Sequence, residues 1–270
     1  MTTLKISHSY GFFSCSSIRL HMIVDYLQQN KNLPDIIDSS EQYNMYKHNH
    51  DKDVTFDFFD DYTNFPNIEY NSHEFIDFTE LFRKNYKNID YAYLSHFVKK
   101  YFSPSQEIKE TINNLVEKYN IDYKKTIVIY YRATDKGGET KIDSFENMYN
   151  KLIDVINNID TADLQLLIQT DSGSFLDYLN DKMRSYNINM GKNIIISSIK
   201  ENSVSYTERG IHNEKSSSEN YYDMKQLLST VYILSQCKYL ILNSSNVSLW
   251  ILLYRGSIEN VYQNLELEWV

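Results

Sequence analysis

The chain is poor in the residues that staple, punctuate or anchor many proteins. Only two cysteines, Cys15 and Cys237, occur in 270 residues, too few for a disulfide framework or a Cys-based zinc site. Cys237 sits in an apolar run and reads as a buried thiol, and Cys15 falls in an expected N-terminal turn. Three prolines and seven glycines accompany the absence of any internal repeat or low-complexity tail. Basic residues are also in deficit: 27 Lys and Arg against 36 Asp and Glu give a net charge of −9, which excludes a broad electrostatic footprint for nucleic acid. No apolar run approaches bilayer length. The first residues lack a basic stretch followed by a sustained apolar one, so no signal peptide is expected and a soluble, cytoplasmic chain is. What is abundant is tyrosine, at 24 residues, in a chain long enough for one large or two modest domains.

The most informative stretch runs from Thr126 to Thr140. An apolar, β-branched segment (Thr126 to Tyr131) stops at Arg132 and breaks into Ala133, Thr134, Asp135, Lys136, two glycines and Glu139. Such segments form buried strands of parallel sheets, and ligands gather at their carboxyl ends. Arg132 thus stands where a planar, permanent cation suits a phosphate, the competing reading being a structural ion pair. Two further segments repeat the pattern. Leu164 to Asp171 reads as a second buried strand ending in Thr-Asp, with a helix over Phe175 to Arg184. Tyr239 to Asn243 reads as a third, running through Ser244, Ser245 and Asn246 into a helix that continues through Leu253. Ser and Asn are preferred helix caps, and a helix start offers N–H groups and a positive dipole end to an anion.

These segments resemble the fucosyltransferase superfamily of core-fucosylating, rhizobial nodulation and protein O-fucosylating enzymes, over roughly residues 102 to 256. The first is similar to the family's His-x-Arg-Arg-Thr-Asp-Lys-x-Gly-Thr-Glu run. Tyr130 takes the place of the histidine, Arg132 that of the first arginine and Ala133 that of the second, while Thr134, Asp135 and Lys136 match. The resemblance implies an α/β, GT-B-like fold of two Rossmann-like domains, with a mostly parallel sheet in the C-terminal half. It also implies transfer of fucose from GDP-fucose to a glycan acceptor with inversion. Tyr130, Arg132, Thr134, Asp171, Asp223, Asn243, Ser244, Ser245 and Asn246 are the implied donor-binding positions. In the family the histidine and an acidic residue recognise guanine; Thr230 falls near the acidic position here, with Asp223 one helical stretch upstream.

Departure of a nucleoside diphosphate needs its charge neutralised, and Arg132 with a helix N-terminus supplies that charge. Catalysis without a metal or cofactor is therefore expected. Inversion also needs a carboxylate to take the acceptor's proton. The resemblance implies Glu139, one position earlier than the family's glutamate, with Asp135 or Asp143 as substitutes and Lys136 orienting a carboxylate or phosphate. Asp171 reads as a site organiser or donor contact. A transferase using another GDP- or UDP-sugar, or a non-catalytic nucleotide- or glycan-binding module, stays open beside this reading. Asn243 and Asn246 each head a glycosylation sequon inside the expected phosphate turn, which fits a chain kept out of the secretory lumen.

Elsewhere the signals are coarser. A strand over Leu4 to Ser9, a turn at Gly11 to Ser17 and a helix over Ile18 to Gln28 are expected. His48, His50 and Asp51 lack apolar framing and read as a solvated loop rather than a metal site. Asp57, Asp60 and Asp61 among Phe56, Phe58, Phe59 and Tyr62 suggest either a sugar-stacking face or an element with one wet side. Phe75, Phe78, Leu81 and Phe82, then Tyr93, Leu94, Phe97 and Val98, form helical core stripes. Ser103-Pro104 reads as a helix start. The domain boundary is expected there, with residues 1–101 on the acceptor side and 102–270 binding the nucleotide sugar. Lys200 to Glu219 reads as a long loop near the site.

Overall fold

The computed structural model describes residues 1–48, 52–72, 86–134, 140–159, 163–207 and 215–270. Two compact units divide the chain: one holds 1–111, 215–231 and 249–258, the other 112–214, 232–248 and 259–270. Neither unit is continuous in sequence, so no single cut near residue 102 separates them.

The first unit opens with β1 (Thr3–His8), α1 (Phe12–Asn30) and β2 (Ile36–Gln42), the two strands pairing in parallel. The helix begins six residues before the expected Ile18, because the serines that suggested a turn bond within it. Ser16 and Ser17 donate to the carbonyls of Phe12 and Phe13, at 3.0 and 2.7 Å, the back-bonding that lets serine sit inside a helix. Cys15, expected in a turn, is a buried helical residue. Next come α2 (Thr55–Phe58), α3 (Tyr91–Tyr101) and α4 (Gln106–Lys118). Pro104 does not start α4. It pairs with Phe59 in an isolated antiparallel bridge, where Ser103 C=O accepts from Asp60 N–H at 2.8 Å and Ser105 N–H donates to Phe58 C=O at 2.9 Å.

The core of this unit is aromatic. Phe12 packs on Tyr43, Tyr46 and Phe58 with ring centroids 4.8–5.5 Å apart, and buried Trp250 packs on Phe102 at 4.8 Å. The Trp250 indole donates to Phe13 C=O and Ser17 Oγ, so the largest apolar group of the core keeps its one donor satisfied. The expected stripe of α3 is buried at Leu94, Phe97 and Val98. Phe75, Phe78, Leu81 and Phe82 lie outside the described residues. Of the aspartates around Phe58, Asp57 pairs with Lys52 and Asp60 with Lys109, while Asp61 caps a short turn through Thr63 N–H.

The second unit is built on a sheet ordered β5-β4-β3-β6-β7-β8, where β3 is Thr126–Tyr131, β4 Gln165–Thr170, β5 Ile195–Ser198, β6 Tyr239–Asn243, β7 Val261–Leu265 and β8 Glu268–Trp269. All neighbours pair in parallel except β7 with β8. One face carries Ile127, Ile129, Tyr131, Leu166, Ile168 and Ile241 against α5 (Phe145–Asn157) and α6 (Gly173–Met190). Ser144 and Ser172 cap these two helices, and Gly191 ends α6 at φ +59°, a conformation glycine adopts without a Cβ clash. Gly173 meets a different demand: the Tyr206 ring lies where its Cβ would be. The remaining helices, α7 (Ser217–Gln236) and α8 (Asn246–Arg255), are divided in sequence between the units, with residues 217–231 and 249–255 in the first. The start of α7 takes the last residues of the stretch expected to be a loop.

Strand order reverses between β3 and β6: the chain adds β4 and β5 on one side, then β6 and β7 on the other. In open parallel sheets ligands bind outside the carboxyl ends at such a point. Both strands end in the residues that the sequence marks.

Candidate functional site

The pairing register decides which side chains share a face. Tyr130 lies beside Gln169 on β4 and Leu242 on β6. Alternation along β3 and β4 places Arg132 and Asp171 next on that same face, at the switch point, and Ser244 follows the end of β6. The second unit thus assembles Tyr130, Arg132, Thr134, Asp171, Asn243, Ser244, Ser245 and Asn246. Asp223 belongs to the other unit, on α7, where it pairs with Lys215. Asp135, Lys136 and Glu139 lie outside the described residues, as do His50 and Asp51.

Arg132 is held from several sides. Its backbone N–H donates to Asn243 Oδ1 at 3.1 Å, and its C=O accepts from Asn243 Nδ2 at 2.8 Å. Asp171 approaches the guanidinium at 3.8 Å from Nε, too long for a hydrogen bond. The Asp171 oxygens are engaged elsewhere: Oδ1 accepts from Ala133 N–H at 3.1 Å and Oδ2 from the Thr134 hydroxyl at 2.7 Å. Asp171 is therefore the organiser of the turn after β3, and Thr134 is its partner, buried to 6% exposure.

The Tyr130 phenol lies under the arginine. Burial pushes its pKa up, while the Arg132 charge and hydrogen bonds to Ser245 and Arg132 work against that rise. It stays protonated at physiological pH. Where the resembled family has an imidazole, this chain has a phenol engaged with its own site.

The two serines of the turn are not equivalent. Ser245 is the N-cap of α8, its Oγ accepting from Ser248 N–H at 3.0 Å, the geometry of a cap bonding to the third helical residue. The Ser248 hydroxyl donates to Asn243 C=O at 2.5 Å. Because that carbonyl only accepts, the 3.0 Å contact between the two hydroxyls has Ser245 as donor. Ser245 thus accepts from Ser248 N–H and donates to the Ser248 hydroxyl, both inside the protein. Ser244 is the opposite case: it is 4% exposed and its Oγ has no hydrogen-bond partner among the described residues. A buried unsatisfied hydroxyl is costly, and this one stands at the start of a ten-residue helix, whose first N–H groups have no carbonyl partners of their own. Asn246, the first helical residue, is exposed.

Asp143, a substitute base by sequence, is bonded into the frame of the second unit. It is 7% exposed, and its carboxylate accepts from Ser144 N–H at 2.7 Å, from Asn264 Nδ2 at 2.6 Å and from the Asn147 amide. A carboxylate with three donors ties down structure and is not free to receive a substrate proton. His48 binds Ser218 Oγ at 2.9 Å and stacks on Tyr221. Among the described residues no group of three or more His, Cys, Asp or Glu gathers as a metal site, and no helix is long and apolar enough to cross a membrane. Sequence reasoning missed Ser248, whose place as a proton acceptor for Ser245 was signalled only by the Ser-x-x-Ser spacing at a helix start.

The fold is of the GT-B-like class found in fucosyltransferases. Among solved structures it is similar to the α-1,6-fucosyltransferase NodZ soaked with GDP-fucose, with a TM-score of 0.58 at 13% identity, covering 93% of this chain and 92% of that one. It is likewise similar to the fucosyltransferase NodZ from Bradyrhizobium, with a TM-score of 0.54 at 12% identity, covering 93% and 91%. No family model and no curated protein matches the chain in sequence. The likeness to fucosyltransferases read from three short segments is thus a likeness of the whole fold.

Proposed function

We propose that the chain is an inverting glycosyltransferase that moves fucose from GDP-fucose to a glycan acceptor without a metal ion. The observation that carries this reading is that Arg132 follows β3 while an unsatisfied Ser244 hydroxyl and the α8 N-terminus follow the neighbouring β6, at the strand-order switch. That trio offers a fixed cation, an O–H donor and free N–H groups to one dianionic group. In the reaction the acceptor oxygen attacks the anomeric carbon as the bond to the pyrophosphate oxygen breaks. The charge left on GDP falls to Arg132, Ser244 and the helix start, which are oriented beforehand. The acceptor's proton goes to a carboxylate. Asp143 and Asp171 are both engaged, which leaves Glu139 and Asp135 as the candidates, with Lys136 proposed to orient a carboxylate or phosphate.

A second reading keeps the transfer and changes the donor. The Tyr130 hydroxyl is engaged with Arg132 and Ser245, and Asp223 pairs with Lys215, so the guanine contacts that the family resemblance implies are not evident here. Thermal stabilisation by GDP, GDP-fucose, GDP-mannose, UDP and UDP-sugars, each in excess EDTA, separates the readings by mass action. Selective response to GDP and GDP-fucose supports the first, and response to UDP compounds supports the second. Silence toward every nucleotide overturns both.

A further inference from the structure

Asn243 reaches its partner across 111 residues of sequence, and both ends of its carboxamide are bonded. Its carboxamide accepts from Arg132 N–H at 3.1 Å and donates to Arg132 C=O at 2.8 Å. A primary amide has the donor and acceptor of a peptide group in one plane. The side chain therefore mimics one more residue of a β-ladder, and does so just where the β3–β6 pairing ends: the last aligned pair is Tyr130 with Leu242. At a strand end the next residue ordinarily frays, because its N–H and C=O lose their partners. Here both backbone groups of Arg132 are bound by one side chain, which is itself 4% exposed.

On the other flank, Asp171 takes the N–H of Ala133. The peptide units around position 132 are clamped from β6 and from β4 at once. In most strand-end sites an arginine is steered by groups touching its guanidinium; here its main chain is fixed as well. A side chain carrying a long, flexible stem loses much of its rotamer entropy on binding, and a fixed origin confines where the guanidinium can travel.

We infer that Asn243 is a positioning residue: it does not contact the donor but fixes the Arg132 backbone, so that the guanidinium meets the pyrophosphate without rearrangement. This rests on the donor reading proposed above. It also accounts for how a single arginine serves where the resembled sequences carry a pair, since Ala133 brings no second cation and the remaining one is held more firmly.

The test is a double-mutant cycle read by binding of GDP and of inorganic pyrophosphate, followed by thermal shift up to millimolar ligand in EDTA. Asn243→Leu, which keeps the volume and removes the amide, is expected to weaken both ligands by ~10-fold in the wild-type background. In an Arg132→Ala background the same change is expected to add nothing, because Asn243 acts only through Arg132. Equal losses in the two backgrounds, or no loss in the first, overturn the role. Asn243→Ala is the second variant should the leucine prevent folding. Hydrogen exchange at the Arg132 amide supplies a readout that donor contact alone would not move: slow in wild type, fast in either variant. An Arg132 amide that exchanges no faster in the variants overturns the positioning role alone. A wild-type protein that takes neither GDP nor pyrophosphate overturns the donor reading and this role with it.

Discussion

Two of the places where a parallel strand turns into a helix, after β1 and after β6, are finished in opposite ways. At the end of β1 the helix α1 starts at Phe12 with Gly11 as an N-cap that makes no side-chain bond. Its first N–H donates to the Tyr46 hydroxyl at 3.0 Å, and the Cys15 thiol reaches back to the carbonyls of His8 and Tyr10. Burial pushes that thiol's pKa up, so it remains a neutral donor. These polar groups are answered from within. At the end of β6 the N-cap is a serine bonded to Ser248, while its neighbour Ser244 is buried without a hydrogen-bond partner among the described residues, and Arg132 follows the adjacent strand β3. A helix N-terminus is generic; what distinguishes a binding site is the satisfaction left undone, together with a charge of the right sign.

The contrast can be broken from either side. Arg132→Ala should have the largest effect, lowering turnover by at least ~100-fold, the scale for removing one preorganised donor of transition-state charge; turnover within a few-fold of wild type would remove Arg132 from the mechanism. Ser244→Ala should weaken GDP by ~10-fold and leave melting unchanged or slightly raised, since it deletes a buried unsatisfied group. Calorimetry showing unchanged GDP affinity would make Ser244 a structural residue. Ser245→Ala should do the reverse, costing about 1 kcal/mol of stability as a lost cap, with GDP affinity falling far less than in Ser244→Ala. Denaturant titration checks the first part, and an affinity loss equal to that of Ser244→Ala would refute the division of roles between the two serines. Tyr46→Phe should have the smallest effect, about 0.5–1 kcal/mol of stability from one lost hydrogen bond, and no change in nucleotide binding. A drop in GDP affinity there would mean the β1 end is not the closed counterpart it is taken for.

Much of the second unit was legible in the sequence because its signals are local. A β-branched run stopping at Arg132 gives β3, whose six residues are all buried, and the Thr-Asp and Asn-Ser-Ser endings give β4 and β6. The same locality explains the misreadings. Ser16 and Ser17 resemble turn residues until their hydroxyls are seen returning to the helix carbonyls, and Ser103-Pro104 resembles a helix start until Pro104 is seen paired with Phe59. Contacts between distant residues left no local trace. The Asn243 amide on Arg132 spans 111 residues and the Asn264 amide on Asp143 spans 121. Both turn polar residues that read as ligands or bases into parts of the frame. The interleaving of the two units was hidden for the same reason, since it depends on which later segments return to the first core.

That interleaving has a consequence for biosynthesis. Domains in a nascent chain ordinarily close in order of emergence from the ribosome. The first unit cannot follow that order, because Trp250, whose indole bonds to Phe13 and Ser17, is made long after α1 has left the exit tunnel. Until then Phe13, Phe102 and the rings around them lack their largest partner. The second unit also waits for late strands: β6 and β7 complete a sheet whose β3 and β4 came much earlier. Both units should therefore close only after Trp250 and the late strands have emerged, and a nascent chain arrested before Trp250 should be the form most in need of a chaperone.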